Sequence, residues 1–420
     1  MTTTHTPPPA TEFDCVIVGG GIHGTYCCQR LLEDTALDRE AVAILDPNAR
    51  LLASFRRKAR ACGMESLRST FVHHVGTDPF ALESFAEAHD REDELRPTID
   101  FPDRPGLELF LDHADHVVDS KGLAALHSRA AVEAITERAD GGLRLTTDHG
   151  VIDARTCVLA IGHGGRFRLP DWAEGVSGVD HVWGGVDPTA TDAIEETIIV
   201  GGGITAAQLA CELSETEQVT MVTRHPLRWA VLEADPPWLN WRHIERELHC
   251  HPPGSAARLA IVGEARSDAT IPPHLYDTID RRLDDGQLRV LEGEVAAAAS
   301  ADGVELALDG GRRLAADRVV CATGFEPVGS HPFVGRLAAD LGLVRGTRGL
   351  PVLDDQTLAW RTVDGRALPL YVSGALALGT VGPYAPTLPG ARRAADRITE
   401  AIGNRLTGPA GSIETMPTAE

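Results

Sequence analysis

The sequence predicts an α/β protein that uses one supersecondary unit twice. Two observations carry this. An apolar run, Phe13–Val18, ends in three glycines, and the pattern returns at Thr197–Val200 and Gly201–Gly203. After each glycine turn comes an amphipathic segment of helical period and then a second short apolar run. A buried parallel strand, a glycine turn, a helix and a second parallel strand are what such a pattern builds.

In chain order, Phe13–Val18 is read as a strand, Ile22–Glu33 as a helix and Ala41–Leu45 as the next strand. Thr77-Asp78-Pro79 supplies a helix start, with proline pre-set for the first turn, and the helix continues through Phe80–Asp90. A further helix is expected over Leu107–Asp119, closed by Gly122. Ala131–Arg138 and Leu143–Thr147 flank an Asp-Gly-Gly turn and form a hairpin, and Thr156–Ile161 is a third strand. Gly162–Glu196, rich in Gly, Pro and Asp, is expected to be a linker. The repeat then supplies the strand Thr197–Val200, the helix Ile204–Ser214 and the strand Val219–Thr223. A second hairpin, Gly303–Leu308 with Arg312–Ala315, leads to the strand Arg318–Ala322. Between Trp229 and Ile271 only a helix near Trp241–Leu248 is legible, and the tail after Gly403 is expected to lack structure.

Composition narrows the function classes. Asp and Glu number 61 against 39 Lys and Arg, a formal net charge of -22, and only Lys58 and Lys121 are lysines. Such a field repels nucleic acid and is a lever that halophiles use, so an acidic, salt-adapted source is expected. The eight cysteines contain no C-x-x-C pair, which argues against a zinc knuckle or a redox dithiol and for reduced cytoplasmic thiols. The N-terminal MTTTHTPPPATEFD is polar and Pro-rich, without the basic and apolar regions of a signal peptide. Leu368–Ala391 carries no formal charge, but glycines and prolines interrupt it, so no membrane span is expected.

The turns carry chemistry. In Gly19-x-Gly21-x-x-Gly24 the first glycine permits the tight turn, the second leaves room for a pyrophosphate, and the third lets helix and strand pack. The helix N-terminus then offers unpaired N–H groups to the anion. Asp46 ends the next strand, twenty-two residues after Gly24, where an acid can accept from a ribose hydroxyl. Gly201-x-Gly203-x-x-Ala206 repeats the pattern with a different ending, Val222-Thr223-Arg224-His225. An acid there would repel a 2′-phosphate, whereas Arg224 can pair with one, so NADPH is expected over NADH. Both units are therefore Rossmann-like dinucleotide-binding folds.

With these motifs the chain resembles the two-dinucleotide-domain flavoproteins, and among them the flavin-containing monooxygenases and the lysine/ornithine N-hydroxylases. The resemblance covers roughly Phe13 to Ile398. It implies FAD on the first unit and places an NAD(P)H domain, 194–318, inside a discontinuous FAD domain made of 1–193 and 319–420. Leu159-Ala160-Ile161-Gly162 and Cys321-Ala322-Thr323-Gly324-Phe325 resemble the two crossings between domains, which makes Gly162 and Gly324 cofactor contacts. Asp180-His181 resembles the His-containing segment before the NADPH domain, without its usual F-x-G lead-in. Leu370–Gly374 and Gly382-Pro383 through Gly390-Ala391 resemble the terminal FAD segment, where a loop and helix N-terminus face the flavin, with Gly382 in contact.

The resemblance further implies hydride transfer from NADPH to FAD, then reaction with oxygen and hydroxylation of a small nucleophile such as an amine. Gly63–Ser69 and His73-His74 fall where the N-hydroxylases approach the flavin edge, so Arg68 and His73, with His181, are the catalytic candidates. Each also has a plain structural reading. His73-His74 lacks the i, i+4 spacing of a metal pair, and Arg56-Arg57-Lys58-Arg60 is either a solvated basic face or a landing patch for the anionic cofactor. Two other functions stay open: a reductase or oxidase that passes electrons to a quinone or protein, and a non-catalytic flavin redox sensor. The expected partners are a small-molecule substrate and oxygen, with neither nucleic acid nor membrane.

Overall fold

A computed structural model of the chain describes residues 12–185 and 194–407. Glu12–Val18 is the central strand of a large sheet, with Val42–Asp46 parallel on one side and Gly150–Leu159 parallel on the other. Ala367–Val372 extends the sheet beyond Gly150–Leu159, also in parallel, and His127–Arg129 extends it beyond Val42–Asp46. The residues of the central strand alternate little in burial, and Cys15 to Ile17 have no exposed surface, as befits a parallel strand covered on both faces. Ile22–Asp34 and the terminal helix Leu388–Thr407 pack on each other beside this sheet.

A second sheet of five strands is built around Glu196–Val200. Gln218–Thr223 and then Leu288–Glu292 lie on one side, Arg318–Cys321 and then Val179–His181 on the other, all in parallel. This sheet draws strands from both sides of the segment 194–318, since Val179–His181 precedes it and Arg318–Cys321 closes it. The glycine turns and most of the residues singled out above follow the carboxyl ends of these parallel strands, the usual position for ligands in open α/β sheets.

The expected elements of the two repeats appear within a residue or two of their expected ends. Other regions differ. Gly162–Glu196 is more than a linker, because Val179–His181 pairs through Val319↔Val179 to Cys321↔His181. The second hairpin gains a third strand, Val295–Ala301. The helix at Trp241–Ile244 passes into a π-turn, Glu245–His249, and is followed by the helix Ala256–Ala265. The terminal helix runs on to Thr407, past Gly403, and the residues after it lie outside those described, as does most of the Pro-rich lead-in.

The basic cluster is neither a solvated face nor a landing patch throughout. Ala53–Ala61 is a helix, and Arg56 on it is 5% exposed, bonded to the Leu111 carbonyl and paired with Asp115. None of the eight cysteines forms a disulfide; six are buried, and burial raises their thiols, Cys15 to about 12. No described helix is long and apolar enough to cross a membrane.

Candidate functional site

The first turn is built as its spacing requires. Gly19 sits at φ 115°, and a Cβ there would lie 2.4 Å from the Ala160 carbonyl oxygen, so only glycine fits. A Cβ on Gly24 would fall 1.8 Å from the Gly19 oxygen, since the helix presses directly on the turn. Gly21 is different. It is the N-cap of Ile22–Asp34, caps with no side chain, and faces nothing within 4 Å. A helix N-terminus with free N–H groups opening onto unfilled space is a fit for a dinucleotide pyrophosphate.

Asp46 completes this cradle. Its Oδ2 accepts from the Gly20 N–H at 2.7 Å, and its Oδ1 accepts from the backbone and side-chain nitrogens of Asn48 at 2.7 Å each. A carboxylate has about four lone-pair sites, so one acceptor site remains for a ribose hydroxyl. His23, unremarked in the sequence, stands in the first helical turn with Nδ1 2.8 Å from Ser373 Oγ. Its Nε2 is buried without a partner among the described residues, and burial pushes the ring's pKa down to about 4. It ties the first turn to the segment that follows Ala367–Val372. The signal for it was a large ring where the G-x-G-x-x-G spacing needs only a short side chain.

The second turn matches the first in its backbone and departs in its side chains. A Cβ on Gly201 would lie 2.7 Å from the Ala322 oxygen, the counterpart of the Gly19–Ala160 contact. Ala206 is buried, and Gly203 caps Ile204–Leu213 with its Cβ direction toward Ala269, 3.5 Å away. In the first unit the Asp46 side chain lies beside Gly20, whereas in the second Thr223 lies beside Gly202. Thr223 turns its hydroxyl away to the His225 carbonyl at 2.8 Å. Arg224 is exposed and makes no hydrogen bond or ion pair among the described residues.

The two crossings between the sheets are bonded to each other. Arg168 N–H donates to the Gly324 oxygen at 3.0 Å, Thr323 Oγ1 donates to the Arg168 oxygen, and Phe167 and Phe325 form a β-bridge. His181 joins them through Nε2, 3.0 Å from the Gly324 oxygen, while its Nδ1 accepts from the Trp183 N–H at 3.2 Å. Both nitrogens are thus spent within the protein, and the ring stacks on Phe167 at 5.0 Å. Gly162 and Gly324 adopt φ 60° and 83° at the starts of these crossings. Lys58 Nζ lies over Phe325, Phe167 and Trp183, 4.9 to 5.7 Å from their centroids. Burial and the neighbouring Arg57 lower its pKa to about 8.

Arg68 and His73 do not share a site. Arg68 fans onto the second unit: Nε donates to the Val231 oxygen, and Nη2 to the oxygens of Ala230 and Leu232 and to Thr270 Oγ1. His73 stands 3.5 Å from Thr70 Oγ1, and burial with the charges of Arg392 and Arg393 lowers its pKa to about 4. His74 points elsewhere, donating through Nε2 to the Pro79 oxygen. Among the described residues no group of three metal-ligating side chains comes together.

Gly382 lies at φ 85° against Trp238, whose ring a Cβ would approach to 3.5 Å. The segment around it is clamped by groups that sequence reasoning missed. Arg258, with no exposed surface, pairs with both oxygens of Asp355 at 2.6 and 2.7 Å and reaches the Gly379 oxygen at 3.3 Å. His249 Nε2 donates to the Thr380 oxygen at 2.8 Å, and Arg266 Nη1 donates to the Pro383 oxygen at 2.8 Å. Tyr384 donates to the Ala234 oxygen. The Trp229–Ile271 region thus backs the terminal segment.

A family model described as FAD-NAD(P)-binding matches residues 16–164. An ornithine hydroxylase from Pseudomonas aeruginosa superposes with a TM-score of 0.72 at 19% identity, over 94% of this chain and 100% of that one. The fold is that of the two-dinucleotide-domain flavoproteins. A desferrioxamine-pathway cadaverine monooxygenase from Erwinia amylovora, solved bound to FAD, gives 0.72 at 16% identity over 98% and 99%. A bacillithiol disulfide reductase from Bacillus cereus gives 0.61 at 14% identity over 94% and 100%. A search by sequence finds no match among curated proteins.

Proposed function

We propose that the protein is an FAD- and NADPH-dependent oxidoreductase, a monooxygenase that hydroxylates a small nucleophile such as an amine. FAD belongs on the first turn through Gly19, Gly21, Gly24 and Asp46, with Gly162 and Gly382 along its length. NADPH belongs on the second through Gly201, Gly203, Ala206 and Arg224, with Gly324 nearby. The single observation that carries the monooxygenase reading is the likeness, over nearly the whole of both chains, to an ornithine hydroxylase and a cadaverine monooxygenase. The nicotinamide unit we propose takes the strands of the five-stranded sheet, so it borders the FAD unit near Val179 and Cys321.

Bound flavin supplies hydride acceptance and oxygen activation. The chain's own residues do the rest. Helix N-termini at Gly21 and Gly203 hold the dinucleotide charges, and Asp46 orients a ribose. Arg224 selects the 2′-phosphate. Arg258, His249 and Arg266 fix the backbone at 379–383, so that the terminal segment keeps one geometry. His73, kept neutral above about pH 4 by burial and the charges of Arg392 and Arg393, is an uncharged ring that the first unit offers as a contact to flavin or substrate. The disulfide reductase neighbour favours a second reading, transfer of electrons to an external acceptor. The test supplies candidate amines with NADPH and oxygen. Consumption of NADPH matched by a hydroxylated product supports monooxygenation. NADPH oxidation without such product, together with rapid reduction of an added quinone or disulfide, would leave the reductase reading instead.

A further inference from the structure

A cavity of about 110 Å³ lies between the Leu95–Thr98/Phe101–Pro105 hairpin and the loops at Val231 and Pro272–His274. None of its lining residues belongs to either glycine turn. Two guanidinium groups face it, those of Arg68 and Arg104. Arg68 uses Nε and Nη2 on carbonyls and a hydroxyl, which leaves Nη1 without a partner among the described residues. Arg104 uses Nε on Ser66 Oγ at 3.3 Å and Nη1 on the Pro97 oxygen, which leaves Nη2.

No carboxylate compensates them. Neither arginine forms an ion pair among the described residues; Glu233 and Asp103 act on them only from a distance, and Arg96 close by is paired outward with Glu65 at 3.1 Å. Arg68 and Arg104 are both half-buried and line the same cavity without an ion pair, in a chain where acids outnumber cations 61 to 39. A guanidinium edge held under partial burial without an acceptor is costly unless an anion joins it. The third polar wall, His274, stays neutral: burial, with the charges of Arg104, Arg96 and Arg68, lowers its pKa to about 3, so it adds no cation and presents an uncharged ring. Thr98 Oγ1, also in the wall, is buried without a hydrogen-bond partner among the described residues. An unpartnered hydroxyl beside two unpaired guanidinium edges is a donor set with its acceptor missing.

We infer that this cavity binds a small organic carboxylate, held by the Nη1 edge of Arg68, the Nη2 edge of Arg104 and the Thr98 hydroxyl. The remaining walls, Pro97, Ile99, Val231 and Pro272, are apolar and suit a short hydrocarbon body. The size sets the class, because drug-sized ligands occupy roughly 300–1,000 Å³. A cavity of about 110 Å³ takes a head group and a few carbons, not a nucleotide. The inference goes beyond the oxidoreductase reading and stands whether or not the chain reduces oxygen.

The test is calorimetric titration of the full-length protein, as purified with its bound flavin, with butyrate, with butyramide and with inorganic phosphate at low ionic strength. Butyrate is expected to bind and butyramide, its uncharged isostere, is not. Arg104→Gln should weaken butyrate by about tenfold or more, the usual loss for one charged hydrogen bond. Because Arg104 also holds the hairpin, Ile99→Asp serves as a second variant; Ile99 is 61% exposed, so the fold tolerates it, and a carboxylate at the cavity mouth should abolish butyrate binding. Equal binding of butyrate and butyramide, or butyrate binding unchanged in both variants, overturns the proposal. So does binding of phosphate with no binding of butyrate, which would assign the two arginines to a phosphate group.

Discussion

Gly19 and Gly21 stand two residues apart, and exchanging each for alanine should produce opposite phenotypes. At Gly19 the φ of 115° is one that L side chains rarely adopt, with a strain of about 1–3 kcal/mol. The new methyl would also press to 2.4 Å on a backbone carbonyl that parallel pairing holds in place, so the cost exceeds that strain. At Gly21 the backbone is at φ −77° and ψ −168°, open to any residue, and the methyl meets nothing within 4 Å. There the loss of glycine's N-cap preference and the gain from a stiffer unfolded chain are each within about 1 kcal/mol and opposed. Gly21→Ala should therefore keep the melting temperature of the flavin-free protein and lose FAD. Losing one charge-assisted contact of about 1.5–3 kcal/mol raises Kd roughly 10- to 150-fold. Thermal unfolding of the flavin-free variants and quenching of flavin fluorescence on titration measure the two quantities separately. If Gly21→Ala binds FAD as the parent does, or melts as early as Gly19→Ala, the cradle has been misread.

Arg224→Ala should raise the KM for NADPH by about tenfold or more and leave NADH almost unchanged, as the loss of one charged contact implies; steady-state kinetics with both nucleotides check it, and a parent that prefers NADH refutes it. Arg258→Met should cost about 3 kcal/mol, the lower end for breaking a buried pair, because the Asp355 side chain is 21% exposed and can still reach water; denaturant unfolding measures it, and a change under 1 kcal/mol would mean that the clamp on Gly379 is idle. Buried His74, with its pKa lowered to about 3 by burial and the positive partners around it, stays neutral in the fold but takes a proton near pH 6.5 when unfolded. Stability from this group is intact above pH 6.5 and falls by about 1.4 kcal/mol per pH unit down to pH 3. An unfolding free energy that stays flat from pH 6.5 to 4 would contradict it.

The parts of this molecule that were legible in the sequence are those fixed by backbone geometry. Gly19, Gly24 and Gly201 are demanded by carbonyls at 1.8 to 2.7 Å, and no other residue could stand there, so their spacing announces the turn and the sheet around it. Side-chain roles at long range were not legible. Nothing local marks Arg258 for Asp355, 97 residues away, or Arg56 as buried when its neighbours Arg57 and Arg60 are exposed. A three-residue strand such as Val179–His181 has too few positions to show a period, and its place depends on Arg318–Cys321. Arg68 was singled out as a contact to flavin or substrate. Its guanidinium is instead spent chiefly on the carbonyls of residues 230–232, an outcome set by partners more than 160 residues on.

Lys58, enclosed by three aromatic rings, has a practical side. Arginine carries nearly all the positive charge in this chain, which leaves two lysines: Lys58, half-buried against Phe167, Trp183 and Phe325, and Lys121, 48% exposed beside Glu33. Reagents that acylate amines, the chain's α-amino group aside, therefore meet a nearly blank target. A dye, a biotin or a solid support coupled by that chemistry has only three amines to meet: the α-amino group, half-buried Lys58, and Lys121 at the end of Leu107–Ser120.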